Sequence, residues 1–110
     1  MTHMTRLLWL SRHGPAKAQL DDLKRIFGEV ALVKRSITVE RAEDVIELMR
    51  QEKCSEVVVV LPLTCLAELV GGGVYPLLAV LDKRRGRHSH FVRLKRLHVE
   101  LERLEAMNSA

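Results

Sequence analysis

The hydrophobic positions of this chain form four short apolar runs, and between the runs they recur at helical spacing. A short apolar run bounded by turn residues is typical of a strand buried on both faces, as in a parallel sheet covered by helices. The first run stops at a polar triplet before Gly14 and Pro15, and the third is almost entirely β-branched. The pattern therefore predicts four strands, at residues 7–10, 30–37, 57–61 and 77–81.

The segments between the predicted strands carry apolar residues three and four positions apart, with charged residues elsewhere. In the second segment Ala42, Val45 and Met49 follow this spacing, and acids precede bases, an order that complements the helix dipole. The three glycines at 71–73 suit a helix end better than a phosphate loop, because they follow a helical pattern instead of opening one. The predicted helices begin near Pro15, Thr38 and Thr64, and they end near Gly28, Lys53 and Gly71.

Strands and helices alternate in this prediction, in the order βαβαβαβ, along a chain of 110 residues. Right-handed crossover connections turn that order into a small doubly wound, Rossmann-like sheet. We therefore predict a single α/β domain over residues 1–110. Its sheet would be mostly parallel, with about four strands and helices on both faces.

The chain after residue 82 fits two structures. Residues 85–87 are typical of a hairpin tip and residues 97–102 alternate, which predicts a C-terminal antiparallel strand. The alternative is a C-terminal helix, whose apolar face would contain Leu94, Leu97, Leu101 and Leu104. We favour the strand because a four-stranded sheet has an open edge. Either structure leaves an apolar face exposed, which a second copy of the chain would cover in a homodimer.

The composition limits the location of the protein. With 47% hydrophobic residues the chain has enough apolar side chains for a core. No apolar run approaches the ~18 residues of a membrane span, and the N-terminus lacks a secretory pattern, so we expect a cytoplasmic protein without a membrane partner. Cys54 and Cys65 fall near opposite ends of the third predicted strand, too far apart for a disulfide, which predicts reduced structural thiols. Nothing in the sequence indicates a cofactor.

The net charge of +4 is concentrated in one segment of the chain. Residues 83–98 hold seven of the 18 Lys and Arg residues and no acid, which leaves 11 bases against 14 acids elsewhere. Such a segment predicts a nucleic-acid contact, with Phe91 available to stack on a base. The alternative is that the charges solubilise an edge strand and prevent it from pairing with other chains. The predicted nucleic-acid-binding residues are Arg84, Arg85, Arg87, Arg93, Lys95 and Arg96.

Several polar residues follow the predicted strands at the edge where parallel strands end. Ligands of open α/β sheets bind at that edge, and the helix N-termini that begin there favour anions. A phosphate-containing ligand such as a nucleotide is therefore expected, with Arg12 as its charge partner. The predicted ligand-binding residues are Ser11, Arg12, His13, Ser36, Thr38 and Thr64.

A strand that ends in Arg12, His13 and Gly14 resembles the motif of the histidine phosphatase (phosphoglycerate mutase) superfamily. The resemblance implies that His13 takes a phosphoryl group and that Arg12 steadies it. It is confined to the end of one strand, and the family also needs a second histidine, a further arginine and an acid from a larger domain. The resemblance makes a phosphoryl-transfer or phosphodiesterase enzyme centred on Arg12 and His13 the alternative function.

Three of the remaining histidines are candidate metal ligands. His88 and His90 would share a face of a strand, with His98 near them, but no carboxylate or cysteine is placed to complete a tetrahedral set. We therefore expect no metal site. The sequence favours a non-catalytic binding module for a nucleotide or nucleic acid, and a structural dimer or adaptor is a third alternative.

Overall fold

A computed structural model describes residues 4–100 and 102–104 of the chain. Its elements alternate along the chain, which confirms the predicted α/β class. The three parallel crossovers, which follow the first, second and third strands, have ordinary lengths for this class. The elements are β1 (Met4–Leu10), α1 (Lys17–Phe27), β2 (Glu29–Arg35), α2 (Ala42–Gln51), β3 (Glu56–Val59), α3 (Leu63–Gly71), β4 (Leu77–Asp82) and β5 (Arg87–Arg93).

The strands form one five-stranded sheet in the order β2-β1-β3-β4-β5. The first four strands in that order run parallel, and β5 pairs antiparallel with β4. The mostly parallel sheet and the antiparallel C-terminal hairpin are therefore both confirmed. A turn from Lys83 to Gly86 joins β4 to β5, and Gly86 has a φ of 62°, a conformation that glycine adopts without strain.

Helices cover both faces of the sheet because successive strand residues point to opposite sides. On one face Leu7 and Trp9 pack against Leu23 of α1, and on the other Leu8 and Leu10 pack with α2 and α3. Leu7, Leu8 and Leu23 are fully buried, and burial of each such side chain stabilises the fold by roughly 1.5–3 kcal/mol. β1 is thus the centre of the core, as its apolar run indicates.

The C-terminal strand is not where the alternating pattern predicts it. β5 ends at Arg93, and residues 94–100, which include most of the predicted strand 97–102, have no regular secondary structure. The physical reason is the proline before β4: the Pro76 carbonyl accepts the Leu94 amide, but Pro76 has no N–H with which to continue the ladder. The helix alternative is also wrong for residues 94–100, and Leu101 lies outside the described residues. Leu94 and Leu97 pack instead against the part of the core that contains residues of α2 and α3.

Two helices, α2 and α3, begin at other residues than predicted. α2 has Arg41, not Thr38, at its N-cap position, because the Asp44 carboxylate inside the first turn accepts the Arg41 amide at 3.2 Å and makes a hydroxyl cap unnecessary. α3 begins after Pro62, whose fixed φ suits a helix start, so Thr64 lies within the first turn. The end of α3 at the glycines is confirmed.

Cys54 and Cys65 are free and buried, as predicted. Burial raises the pKa of both thiols, since a thiolate would lose its hydration there. Among the described residues, none of the helices is both long enough and apolar enough to span a membrane.

Candidate ligand-binding site at the carboxyl edge of the sheet

The four parallel strands end at one edge of the sheet, which we call the carboxyl edge, and they begin at the opposite amino edge. β1 leads to α1 on one face, whereas β3 leads to α3 on the other face. The loops after β1 and β3 therefore diverge and leave a crevice between them. In the strand order β2-β1-β3-β4 this is the topological switch point, where doubly wound sheets bind ligands.

A polar cleft of about 580 Å³ opens between the ends of β1, β2 and β3. Five of the six predicted ligand-binding residues line it, so the structure brings together side chains from two separate loops. Thr64 is the exception: it is exposed on the first turn of α3 and does not line this cleft. The five residues are Ser11, Arg12, His13, Ser36 and Thr38.

An apolar cleft of about 480 Å³ lies next to the polar one, between the ends of β1, β3 and β4. Its volume falls in the range of small-molecule sites, about 300–1,000 Å³. The two clefts share Ser11, His13 and Leu61, so one ligand could occupy both. The principal apolar walls are Trp9, Leu61, Leu66, Leu78, Ala79 and Leu81.

The side chain of Trp9 holds the loop at residues 11–13 in place through a hydrogen bond. The buried indole donates its Nε1–H to the His13 carbonyl at 2.7 Å, and the His13 amide lies 3.4 Å from the Ser11 hydroxyl. The indole also packs edge to face against Phe91 of β5, with ring centroids 6.4 Å apart. The sequence analysis did not assign Trp9 to the site, although a buried indole needs a hydrogen-bond acceptor and the nearest turn provides one.

Lys34 adds a positive charge that the sequence analysis also missed. It lies beside Trp9 in the parallel pairing of β1 with β2. Its ammonium lies against the Gly14 backbone, because a Cβ atom at Gly14 would be only 3.2 Å from Lys34 Nζ. Lys34 lines neither cleft, but Gly14 lines the apolar one, so the ammonium adds a positive charge beside that cleft, next to the loop that carries Arg12. Only the register between β1 and β2 could have indicated that Lys34 lies against the Gly14 backbone.

The six predicted nucleic-acid-binding residues do not form one surface. β5 runs antiparallel to β4 for seven residues, so its two ends lie roughly 20 Å apart, one at the turn and the other beside Leu77, where β4 begins. Arg84, Arg85 and Arg87 are exposed at the carboxyl edge, whereas Arg93, Lys95 and Arg96 are at the amino edge.

Arg93 makes structural contacts at the amino edge. Its guanidinium forms two hydrogen bonds with the Glu56 carboxylate, at 2.9 and 3.1 Å, and a third with the Tyr75 carbonyl at 3.1 Å. This bidentate ion pair connects β5 with β3, which are separated in the sheet by β4. The Arg93 guanidinium is therefore already engaged within the fold.

The β4–β5 hairpin projects beyond the other strands at the carboxyl edge. Leu10 and Val59, the last residues of β1 and β3, are level with each other. Val58 is level with Leu77, so Leu78 is the residue of β4 that is level with the ends of β1 and β3. β4 continues for four more residues, to Asp82, or about 13 Å. We call the projecting part, residues 79–91, the arm. Its tip carries Lys83, Arg84, Arg85 and Arg87, all exposed.

His88 connects the arm to α1. Its side chain is only 4% exposed, its Nε2 lies 3.0 Å from the Asp22 carboxylate, and its ring lies 4.7 Å from Phe91. The hydrogen bond from His88 lowers the pKa of Asp22 against the opposing effect of burial, and Arg25 acts in the same direction. His88 is therefore a buried link between two elements.

The expected sharing of a face by His88 and His90 is wrong. An irregularity between Val80 and Leu81 places His88 opposite Leu81 and His90 opposite Val80, so the two imidazoles lie on different faces of the hairpin. His98 lies beyond β5 and contacts Glu100. Within residues 4–100 and 102–104, no cluster of three potential metal ligands is present.

No family model, curated protein or solved structure matches this chain. The resemblance of Arg12, His13 and Gly14 to the histidine phosphatase motif therefore rests on those residues alone. The case for a function comes from the geometry of the carboxyl edge.

Proposed function

We propose that this protein is a non-catalytic binding module for a phosphate-containing ligand, and that a nucleotide binds at the carboxyl edge. The observation that carries the proposal is the contact between the two clefts: a polar, cationic one and an apolar one meet at Ser11 and His13. A nucleotide has the same two parts, an anionic phosphate and a flat base with apolar faces.

The polar cleft supplies the groups that hold a phosphate. The Ser11, Ser36 and Thr38 hydroxyls are hydrogen-bond donors, and the Arg12 guanidinium adds positive charge. Hydrogen bonds between charged donors and phosphate oxygens are roughly twice as strong as neutral ones. We therefore assign the phosphate to this cleft.

The apolar cleft suits a nucleobase. Leu61, Leu66 and Leu78 supply apolar walls, and Gln19 supplies a polar group at the side. The Gln19 side-chain oxygen already accepts the Ala16 amide at 2.9 Å, so its amide N–H groups remain for a ligand. This combination of apolar walls with a few polar groups is typical of small-molecule sites.

A titration monitored by the fluorescence of Trp9, the single tryptophan, tests the proposal. We expect AMP, GMP, CMP or UMP to change the emission, and Arg12→Ala to weaken binding by roughly 10- to 150-fold, as loss of a charge-assisted hydrogen bond of about 1.5–3 kcal/mol implies. Arg96→Ala removes the same charge at the amino edge and should leave the affinity unchanged. Equal effects of the two variants, or no binding of any nucleotide, would contradict the proposal.

The enzyme alternative has one supporting observation: the exposed His13 lines both clefts beside Arg12. In this alternative His13 attacks the phosphorus of a phosphate ester. Release of nitrophenolate from nitrophenyl phosphate and from its diester is the assay. Activity in the wild-type protein that is lost in His13→Ala would favour the enzyme over the binding module.

We also propose that the protein self-associates in the cytoplasm. β2 is an edge strand of the sheet, which leaves one row of its backbone groups available to a second copy. The two buried thiols suit a reducing compartment. Sedimentation equilibrium gives the mass in solution; a monomer at all concentrations would contradict self-association, and a dimer that binds no nucleotide would favour the adaptor alternative.

A further inference from the structure

We infer that the bound nucleotide is one unit of a single-stranded nucleic acid, and that the tip of the arm holds a neighbouring phosphate of the strand. The inference rests on the proposed function, because the first phosphate and the base occupy the polar and apolar clefts. It adds a third contact region, formed by Lys83, Arg84, Arg85 and Arg87, and so changes the ligand class from a mononucleotide to an oligonucleotide.

The order of the three regions along the carboxyl edge carries the inference. The polar cleft lies at the ends of β2, β1 and β3, and the apolar cleft lies at the ends of β1, β3 and β4. Leu78, Ala79 and Leu81 of β4 wall the apolar cleft on the side from which the arm projects. Cationic groups therefore lie on both sides of the proposed base site, just as phosphates lie on both sides of a nucleotide within a strand.

The charges at the tip are available for a ligand. None of these four side chains forms an ion pair with a described residue, whereas Arg25, Arg35, Arg50 and Arg93 each pair with an acid. The acid nearest in sequence, Asp82, accepts the Arg84 amide with its side chain. Four neighbouring cations repel one another, and a polyanion relieves that repulsion while it releases its own counterions.

The arm has a fixed position relative to the loop of residues 11–13. His88 connects it to Asp22 of α1, and Phe91 packs on the Trp9 indole that holds the His13 carbonyl. The tip and the polar cleft are therefore parts of one packed unit. Such preorganisation reduces the ordering cost of binding to two regions at once.

Exposed apolar side chains favour a single strand over a duplex. Val60 is 80% exposed, and Ile37, Leu63 and Leu81 are exposed at the same edge. These side chains can pack against the faces of unpaired bases, whereas a duplex hides those faces in its stack. The carboxyl edge thus combines cations for the backbone with apolar contacts for the bases.

The test compares fluorescein-labelled hexanucleotides, as RNA and as DNA, with unlabelled mononucleotides. The arm variant is Arg84→Ala/Arg85→Ala/Arg87→Ala. Its matched control is Lys24→Ala/Lys95→Ala/Arg96→Ala, which removes three exposed cations from other surfaces. Circular dichroism confirms that both variants fold, and fluorescence anisotropy over a salt series gives the affinities.

We expect the arm variant to bind hexanucleotides about tenfold more weakly and mononucleotides as tightly as the wild-type protein. The slope of log affinity against log salt should become less negative by about 0.7, since the arm holds one phosphate and each lost phosphate contact on a single strand contributes about 0.7. Unchanged hexanucleotide affinity with intact mononucleotide binding would overturn this inference and leave the proposed function in place. Failure of all ligands to bind would overturn both.

Two further outcomes would also overturn the inference. If the control variant weakens hexanucleotide binding as much as the arm variant, the attraction is a property of the whole charged surface. If a duplex of the same sequence binds as tightly as the single strand, the apolar contacts do not select unpaired bases. The RNA and DNA series show which sugar the site accepts.

Discussion

The two edges of the sheet contain the same types of charged residue but differ in what those residues contact. At the amino edge, Arg93 is engaged by the Glu56 carboxylate and the Tyr75 carbonyl, and Arg6 donates to the Glu52 carbonyl. At the carboxyl edge, Arg12 and the cations of the arm tip are exposed and form no ion pair with a described residue. Cations at the amino edge thus hold elements of the fold together.

This difference shows why the charge of a segment does not by itself locate a binding surface. Residues 83–98 are continuous in sequence, yet β5 carries their two halves to opposite edges of the sheet. The half at the carboxyl edge joins cations from the β1 and β2 regions, which are distant in sequence. A surface for an anionic ligand is therefore assembled by the strand order, and a basic run in the sequence supplies only part of it.

The largest expected effect is a loss of stability when the contact of Arg93 with Glu56 at the amino edge is removed. Arg93→Ala leaves the mostly buried Glu56 carboxylate without its partner and removes a donor to the Tyr75 carbonyl. We expect the free energy of unfolding to fall by about 2 kcal/mol, as for other hydrogen bonds to charged groups. Nucleotide affinity should not change. Urea denaturation measures the first quantity, and a loss of affinity in the folded variant would contradict the division between the two edges.

A smaller effect should follow from the loss of the indole hydrogen bond beneath the loop of residues 11–13. Trp9→Phe keeps an aromatic ring against Phe91 but leaves the His13 carbonyl without its donor. We expect a destabilisation of roughly 1–2 kcal/mol and a weaker nucleotide affinity, because the loop is no longer held in place. Calorimetric titration is required here, since the fluorescent residue is lost. Unchanged affinity would show that the loop does not need this support.

The link between the arm and α1 should contribute to the acid dependence of stability. The pKa of Asp22 is lowered from 3.8, chiefly by its hydrogen bond with His88. A carboxyl group with a lower pKa in the folded state stabilises the fold above its unfolded pKa, and this stabilisation is lost as the pH falls through the folded pKa. The wild-type protein should therefore lose stability more steeply below pH 3.8 than Asp22→Asn does.

Urea denaturation at a series of pH values tests this expectation. Asp21→Asn is the matched control, because it removes a neighbouring, exposed carboxylate from the same helix. If both variants show the same acid dependence, the contact between Asp22 and His88 does not contribute to it.

The smallest expected effect concerns the position of Lys34. Gly14→Ala would place a methyl group 3.2 Å from the Lys34 ammonium, which moves aside easily because it ends a long side chain. The free energy of unfolding should change by less than about 0.5 kcal/mol. Nucleotide affinity should fall only a fewfold, as a displaced surface charge implies. An unchanged affinity would show that Lys34 does not contribute to nucleotide binding.

The sequence predicted the parts of the fold that depend on local patterns. The apolar run at residues 7–10 gives β1 and the polar triplet after it, and five of the six predicted ligand-binding residues line one cleft because parallel strands end together. Lys34 could not be predicted, since its contact depends on the register between β1 and β2, whereas Trp9 bonds to a carbonyl only four residues away, a local contact that the pattern does contain.

The C-terminal strand shows the same limit. β5 is mostly polar and irregular in register, so it lacks a regular alternating pattern, whereas residues 97–102 alternate in sequence but residues 97–100 have no partner strand. The contact of Arg93 with Glu56 joins residues 37 positions apart and has no local signal. Pairing between residues distant in sequence determines where the sheet ends and which charged side chains are engaged within the fold.

The most direct test of the central claim is an NMR titration of the uniformly ¹⁵N-labelled protein with AMP. The account predicts that amide shifts change at residues 11–14, 34–38, 60–61 and 79–83, at the carboxyl edge, and stay constant at residues 52–56 and 72–75, at the amino edge. Shift changes confined to the amino edge, or none at millimolar AMP, would contradict it.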